Sequence, residues 1–260
     1  MAKVVPLFSG SKGNSYYIGT SSQGVLIDAG RNCKQIELAM EANGLSMKNV
    51  SALFITHEHS DHCSAVRVLS KRYGLKVFGS AGTLNAISRG LYPETRLEVI
   101  ETELALGDMS IQRINTPHDA AESCCYRVTA SDGKSAMIAT DMGVMLPEVK
   151  AAALKSDFVV LESNHDINML KFGEYPYPLK MRILSDKGHL SNDACSRELA
   201  DLVRSGTMRL MLGHLSEHNN TPELAARTSV AALQKEGMKR NLDFTLDIAP
   251  SEPRVGAVIF

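Results

Sequence analysis

Three histidines and an aspartate fall within six positions of this chain, as His57, His59, Asp61 and His62. Neutral imidazole nitrogens and carboxylate oxygens are ligands that zinc and manganese both accept. The run Val50-Ser51-Ala52-Leu53-Phe54-Ile55 in front of them reads as a buried strand. Alternate strand residues face the same side, so His57 and His59 can converge on one ion. Asp61 and His62, on the turn beyond, can address a second point nearby. A His-rich surface loop would carry the same local spelling, so the rest of the chain must decide.

Three further strand-like runs end in a residue that can hold a metal. Residues 109–115 lead into His118, a hairpin over 124–139 delivers Asp141, and residues 208–212 end at His214. The hairpin is marked by Asp132-Gly133, a pair that tolerates the positive φ of tight turns. A single strand-end histidine carries little information. The same placement on four strands predicts a metal site built from loops at one edge of a sheet arrangement.

The elements that must position these residues can be read in order. Residues 4–8 and 16–18 read as strands around the turn-rich Ser9-Gly10-Ser11-Lys12-Gly13-Asn14-Ser15. A strand over 24–28 ends in Asp28, which either stands behind the metals or caps a helix. Helical spacing over 34–43 stops at Gly44, and a helix leaving the histidine turn at Ser64 stops at Gly74. Strands at 76–78 and 97–100 flank a helix at 83–89, and Leu106-Gly107-Asp108 is a turn. A helix over 147–154 and a strand over 158–161 lead to Glu162-Ser163-Asn164-His165. Residues 167–187 are less regular. They carry Tyr175-Pro176-Tyr177-Pro178 with Lys171, Lys180, Arg182 and Lys187, and suit either a lid or a rigid loop. A helix from Ser191 or Asn192 to about 204, a proline-started helix from Thr221, and strands at 244–248 and 255–260 complete the chain. With no repeat or linker, this alternation predicts an α/β (α+β) fold in one domain spanning 1–260.

Composition narrows the class. The 260 residues are 44% hydrophobic and 22% charged, as in ordinary globular proteins. The opening Met1-Ala2-Lys3-Val4-Val5-Pro6 lacks the apolar core of a signal peptide, and no run is long enough to span a membrane. Cys33, Cys63, Cys124, Cys125 and Cys195 form no C-x-x-C pair and read as reduced thiols of a cytoplasmic protein. Cys63 adjoins His62 but reads as packing. The net charge of −1 offers no global positive field for nucleic acid, although bound cations would add local charge where a phosphate sits.

The series His57-x-His59-x-Asp61-His62, then His118, Asp141 and His214, resembles the ligand set of the metallo-β-lactamase superfamily. The resemblance covers essentially the whole chain. It implies a four-layer αββα sandwich with two divalent ions, Zn2+ or Mn2+, at the edge of the sheets. It further implies that His57, His59 and His118 hold one ion, that Asp61, His62 and His214 hold the other, and that Asp141 bridges them. A bridging carboxylate disfavours a β-lactamase role. Four stretches, Phe8 to Asn14, Leu161 to Asp166, Gly188 to Asn192 and Leu212 to Ser216 with Asn219-Asn220, resemble the YycJ/WalJ family of bacterial cytoplasmic DNA exonucleases. Glu162 and His189 are similar to the acidic residue and the phosphate-contacting histidine of ribonuclease J and its relatives. Those nucleases carry a large inserted domain before the last histidine; only 73 residues separate Asp141 from His214, so no such domain is expected.

The expected chemistry is in-line attack on a phosphodiester by a hydroxide held between two ions, with Asp61 both ligating and orienting the nucleophile. The resemblance implies digestion from 5′ to 3′. His189 precedes a helix N-terminus, where an anion is favoured, and Ser191 and Asn192 are expected to add donors there. A phosphate contact or protonation of the leaving oxygen fits His189; capping or packing is the plain alternative. Glu162 is expected with His189 and Ser191 among the substrate-binding residues, where it either orients His189 or simply ends a strand. His165 and His218 read as surface histidines. Hydrolysis of a small thioester in the manner of glyoxalase II, and a non-catalytic metal-binding regulatory module, are the alternatives.

Overall fold

The computed structural model describes residues 2–260. Its first half runs β1 (Lys3–Phe8), β2 (Ser15–Gly19), β3 (Gly24–Ile27), α1 (Cys33–Ala42), β4 (Val50–Phe54), α2 (Ser60–Cys63), α3 (Val66–Tyr73), β5 (Lys76–Gly79), α4 (Ala81–Ser88) and β6 (Leu97–Val99). Its second half begins β7 (Glu103–Leu106), β8 (Met109–Asn115), β9 (Cys124–Ala130), β10 (Ser135–Ala139), α5 (Pro147–Ala153) and β11 (Phe158–Glu162). It continues α6 (Ile167–Phe172), α7 (Tyr177–Ile183), α8 (Asn192–Arg204), β12 (Arg209–Gly213), α9 (Pro222–Lys235), β13 (Thr245–Ile248) and β14 (Val258–Ile259).

The strands form two mixed sheets of seven, ordered β14-β1-β2-β3-β4-β5-β6 and β13-β12-β11-β10-β9-β8-β7. Within them β3 to β6 pair in parallel, as do β10 to β13. Parallel strands are covered on both faces, which is why β3, β10 and β11 read as continuous apolar runs and are buried throughout. Three clusters of buried side chains define the layers. Tyr16, Phe54, Tyr126 and Phe158 lie in the cluster between the sheets. Ile36 and Met40 of α1 and Leu69 of α3 cover the first sheet outside. Val149 of α5, Leu199 of α8 and Leu233 of α9 cover the second. The result is the expected αββα sandwich, with no large insert.

Local chemistry explains the boundaries. Asn32 accepts the Gln35 amide and starts α1, so the capping role open to Asp28 falls to Asn32. Ser191 caps α8, whose Cys195, Leu199 and Leu202 repeat at helical spacing on its buried face. Three readings are refined. Residues 103–106 form a strand that the sequence hides, because β7 is short and only half-buried. Residues 167–187 contain two short helices rather than an irregular loop. The last strand is confined to Val258–Ile259, paired with β1.

Both sheets deliver the carboxyl ends of their parallel strands to one edge, the usual place for a site in such sheets. Asp28 follows β3, His57 lies just beyond β4, Asp141 is close behind β10, Glu162 ends β11 and His214 follows β12. Asp28, Asp141 and His214 have φ of 62°, 60° and 54°, a left-handed conformation uncommon outside glycine. Each such residue costs on the order of 1–3 kcal/mol, and strain of this kind collects at functional sites. The sheets are tied together at this edge. The Tyr126 hydroxyl of the second sheet donates to the Ile55 carbonyl at 2.9 Å, two residues before His57.

Candidate metal centre

The histidine turn is pinned from below. A Cβ on Gly30 would lie 1.6 Å from the Asp61 carbonyl oxygen, so only glycine permits this approach. The Gly30 amide donates to Asn14, and the Asn14 amide donates to that same Asp61 carbonyl at 2.7 Å. The Asn14 side chain reaches further, with Nδ2 3.0 Å from His62 Nε2 and 3.4 Å from Asp61 Oδ2.

Four histidines each engage one ring nitrogen behind the site and aim the other inward. His62 Nδ1 meets Asp28 Oδ2 at 2.7 Å. His57 Nδ1 lies 3.0 Å from the Thr56 hydroxyl, which donates to Asp28 at 2.9 Å. His118 Nδ1 lies 3.2 Å from the Gly188 carbonyl, and His214 Nδ1 2.9 Å from Glu162 Oε1. Such contacts fix tautomer and orientation in metal sites. Two of those inward nitrogens, His57 Nε2 and His214 Nε2, are buried without a hydrogen-bond partner, and so is Asp141 Oδ2. Buried polar atoms are almost always satisfied, so three orphans facing one space fit a cation between them.

The donor sets are explicit. His57, His59 and His118 bring one ligand atom each within 4.8 Å of one another, and so do Asp61, His62 and His214. Asp141 belongs to both surroundings, with Oδ2 3.3 Å from His62 Nε2 and Oδ1 4.0 Å from His118 Nε2. All seven expected ligands therefore converge. Electrostatics match the same reading. Burial would lower the His214 pKa, but Asp141, Asp61 and Glu162 overcome it and raise it to about 10. Burial likewise opposes charge on His62, yet Asp141 and Asp28 lift it well above the usual range. Burial and the His62 charge push His57 well down. Carboxylates that hold protons on two histidines mark a place where a divalent cation would displace them.

Glu162 and Ser191 occupy positions different from those expected of substrate contacts. Glu162 is fully buried, and its Oε1 meets both His189 Nδ1 at 2.8 Å and His214 Nδ1 at 2.9 Å. Its Oε2 accepts the Met142 and Leu190 amides. Burial raises and the adjacent histidines lower its pKa, leaving it at about 2, so it is an anionic acceptor. Glu162 thus sits behind two histidines rather than before the substrate. Ser191 uses its hydroxyl to cap α8 through the Ala194 amide, and Asn192 is engaged with Ser163 and Asn220. Both are buried, and neither lines the cavity over the histidines. His189 does line the opening, a cavity of about 360 Å3 shared with His59, Asp61, His118, Asp141 and Arg182.

Other residues fall where the sequence only half-indicated. Asp28 is the carboxylate behind His62. His165 is buried, not on the surface; both its ring nitrogens are unpaired, and burial lowers its pKa to about 4. His218 is exposed, its ring 5.8 Å from Tyr175. Cys63 donates to the Glu58 carbonyl and packs beneath the helices. Lys180 bonds the carbonyls of Lys171 and Gly173, and Arg182 pairs with Asp119, so two of the expected cations brace this segment. Asn14 and Thr56 are positioning residues that the sequence marked only as parts of a turn and of the histidine stretch.

The family model of the metallo-beta-lactamase superfamily matches residues 9–214, a span that contains all seven converging residues. This chain belongs to that superfamily. It is 36% identical over 235 residues to the exodeoxyribonuclease YycJ of Bacillus anthracis, covering 89% of each chain. It is 34% identical over 251 residues to the exodeoxyribonuclease WalJ of Streptococcus pneumoniae serotype 2, covering 94% of this chain and 93% of that one. The superfamily and these relatives make the protein a metal-dependent hydrolase. Among solved structures, the metallo-beta-lactamase fold protein YhfI of Bacillus subtilis superposes over 100% of both chains with a TM-score of 0.75. At 15% identity that likeness speaks for the fold alone.

Proposed function

We propose that the protein degrades DNA from a strand end, as a phosphodiesterase with two divalent ions held by His57, His59, His118, Asp61, His62, His214 and a bridging Asp141. The observation that carries this reading is the Glu162 pair: one buried carboxylate orients both a metal-facing histidine and His189 at the cavity wall. Hydrolysis of a phosphodiester needs a cation site and a group for the phosphate or leaving oxygen beside it, and this carboxylate couples the two. Divalent ions bound here supply a nucleophile near neutral pH and neutralise developing charge on the phosphoryl group.

The chain's own residues do the rest. Anionic Glu162 accepts from His189 Nδ1 and thereby leaves Nε2 for the substrate. That nitrogen contacts a phosphoryl oxygen or delivers a proton to the departing one. Asp61, at the opening and 3.4 Å from His62 Nε2, orients the attacking water as well as ligating. DNA is favoured over RNA by the two relatives named exodeoxyribonucleases, and 5′-to-3′ polarity by the resemblance of the sequence motifs. Five free cysteines support a reducing, cytoplasmic setting.

Incubation with single- and double-stranded DNA and RNA, each labelled at one end and supplied with zinc or manganese, tests the reading. The expected result is cleavage of DNA with immediate release of a 5′ label as mononucleotide. Asp61→Ala abolishes it, and His189→Ala lowers kcat by about 10²–10³ with metal retained. Turnover of a thioester by metal-loaded protein that cleaves no nucleic acid would overturn it.

A further inference from the structure

A second cavity, larger than the one over the histidines, opens beside it. It holds about 560 Å3, against about 360 Å3 for the metal cavity. The two adjoin, since Ser11 and Ser216 line both. We propose that this second cavity is a nucleotide subsite, which seats the nucleotide next to the scissile phosphodiester. The inference rests on the nuclease reading and adds where the strand lies.

A nucleotide is a phosphate joined to an amphipathic sugar and a flat base, and the cavity offers a surface for each part. Its volume falls within the roughly 300–1,000 Å3 of small-molecule sites. Leu215, Ile248 and Pro250 give an apolar wall, while Lys12, Arg31 and Arg254 bring three cations to a chain whose net charge is −1. Both acids in the lining are already engaged: Glu217 with Lys12 and Glu252 with Arg31, each at 2.7 Å. Arg254 has no carboxylate partner among the described residues, so one guanidinium stays available. Arg31 holds a further donor. Its side chain is 13% exposed, and its Nε is buried without an acceptor.

The loop between the cavities supplies the link to the reaction. The Ser11 and Lys12 amides have no backbone or side-chain acceptor among the described residues. Asn14 fixes this loop by accepting the Gly10 amide at 2.9 Å, and the same side chain lies 3.4 Å from Asp61 Oδ2. Phosphates contacting the loop are therefore set in register with the metal centre through a single asparagine. Cationic side chains and backbone amides that track a phosphodiester chain are the usual furniture of single-strand binding.

The test compares two substrates on the metal-loaded protein: a labelled single-stranded oligodeoxynucleotide, and bis(4-nitrophenyl) phosphate, which needs the metal centre alone. Arg254→Glu and Lys12→Glu should each raise KM for the oligonucleotide about tenfold, the size of a lost charge-assisted contact. Each should also reduce the salt slope of binding by about 0.7. Ser251→Trp, which fills the cavity without altering charge, should raise KM similarly. Turnover of the small diester should stay within twofold in all three, and Arg89→Glu, exposed just beyond α4 and outside the lining of both cavities, should match wild type throughout. If wild type degrades DNA while Arg254→Glu and Ser251→Trp leave its KM unchanged, the subsite is wrong and the nuclease reading stands. Equal loss on both substrates would also overturn the subsite. If wild type hydrolyses the small diester but no DNA, the nuclease reading fails and the subsite falls with it.

Discussion

The floor and the rim of the metal cavity are built on opposite plans. On the floor, Asp28, His57, His62, Asp141, Glu162 and His214 are each at most 3% exposed, and most have an identified partner on the atom facing away from the cavity. On the rim, Arg182 is paired with Asp119 in solvent, and the two short helices that bring Arg182 there leave Phe172 and Tyr177 87% and 74% exposed. Strand ends locked between two sheets make the floor, whereas short helices and loops make the rim. The difference separates two tasks. Chemistry that depends on ångström placement is held by nonlocal burial, and substrate choice is left to elements that can vary without disturbing it.

Substitutions on the two sides should therefore differ in kind. Among residues that stand behind the ligands, the largest effect on metal affinity is expected at Asp28. Asp28→Ala removes the carboxylate from His62 and from the Thr56 hydroxyl that supports His57, and should weaken metal affinity by about 10–100-fold. Competition against a chromogenic chelator measures it, and Asp28→Asn should recover part of the loss. If Asp28→Ala bound metal like wild type, the floor would be dispensable and the contrast would fail. The smallest effect is expected at Phe172. Phe172→Ser should leave metal content unchanged and alter stability by less than about 0.5 kcal/mol, as read from urea denaturation. A loss of several kcal/mol would mean that this ring is buried in solution and that the rim is not the independent region described.

The same contrast governs what could be read from the sequence. His57, His118, Asp141 and His214 were legible because each ends or follows an apolar strand, and strand order carries all of them to one edge. The αββα layering followed from the same alternation and from the resemblance. Asp28 was half-legible: its place after a strand was clear, but its partner lies 34 residues away, and only the pairing of β3 with β4 brings them together. Asn14 and His62 are 48 residues apart, and nothing local in a turn-rich loop announces that contact. Ser191 as a substrate donor, and the choice between a substrate-side and an orienting Glu162, are undecidable locally for a related reason. A hydroxyl at a helix start and a carboxylate at a strand end look alike whether they face substrate or the interior. Burial decides, and burial depends on what packs above. The strand β7 escaped because a four-residue amphipathic run is too short to show a period.

Crystals of the protein loaded with zinc or manganese, measured at the absorption edge of the metal, address the central claim most directly. Two anomalous peaks per chain are expected, roughly 3.5–4 Å apart. One should lie among His57, His59 and His118, the other among Asp61, His62 and His214, with Asp141 touching both. A single peak, or ions bound away from Asp141, would contradict the account.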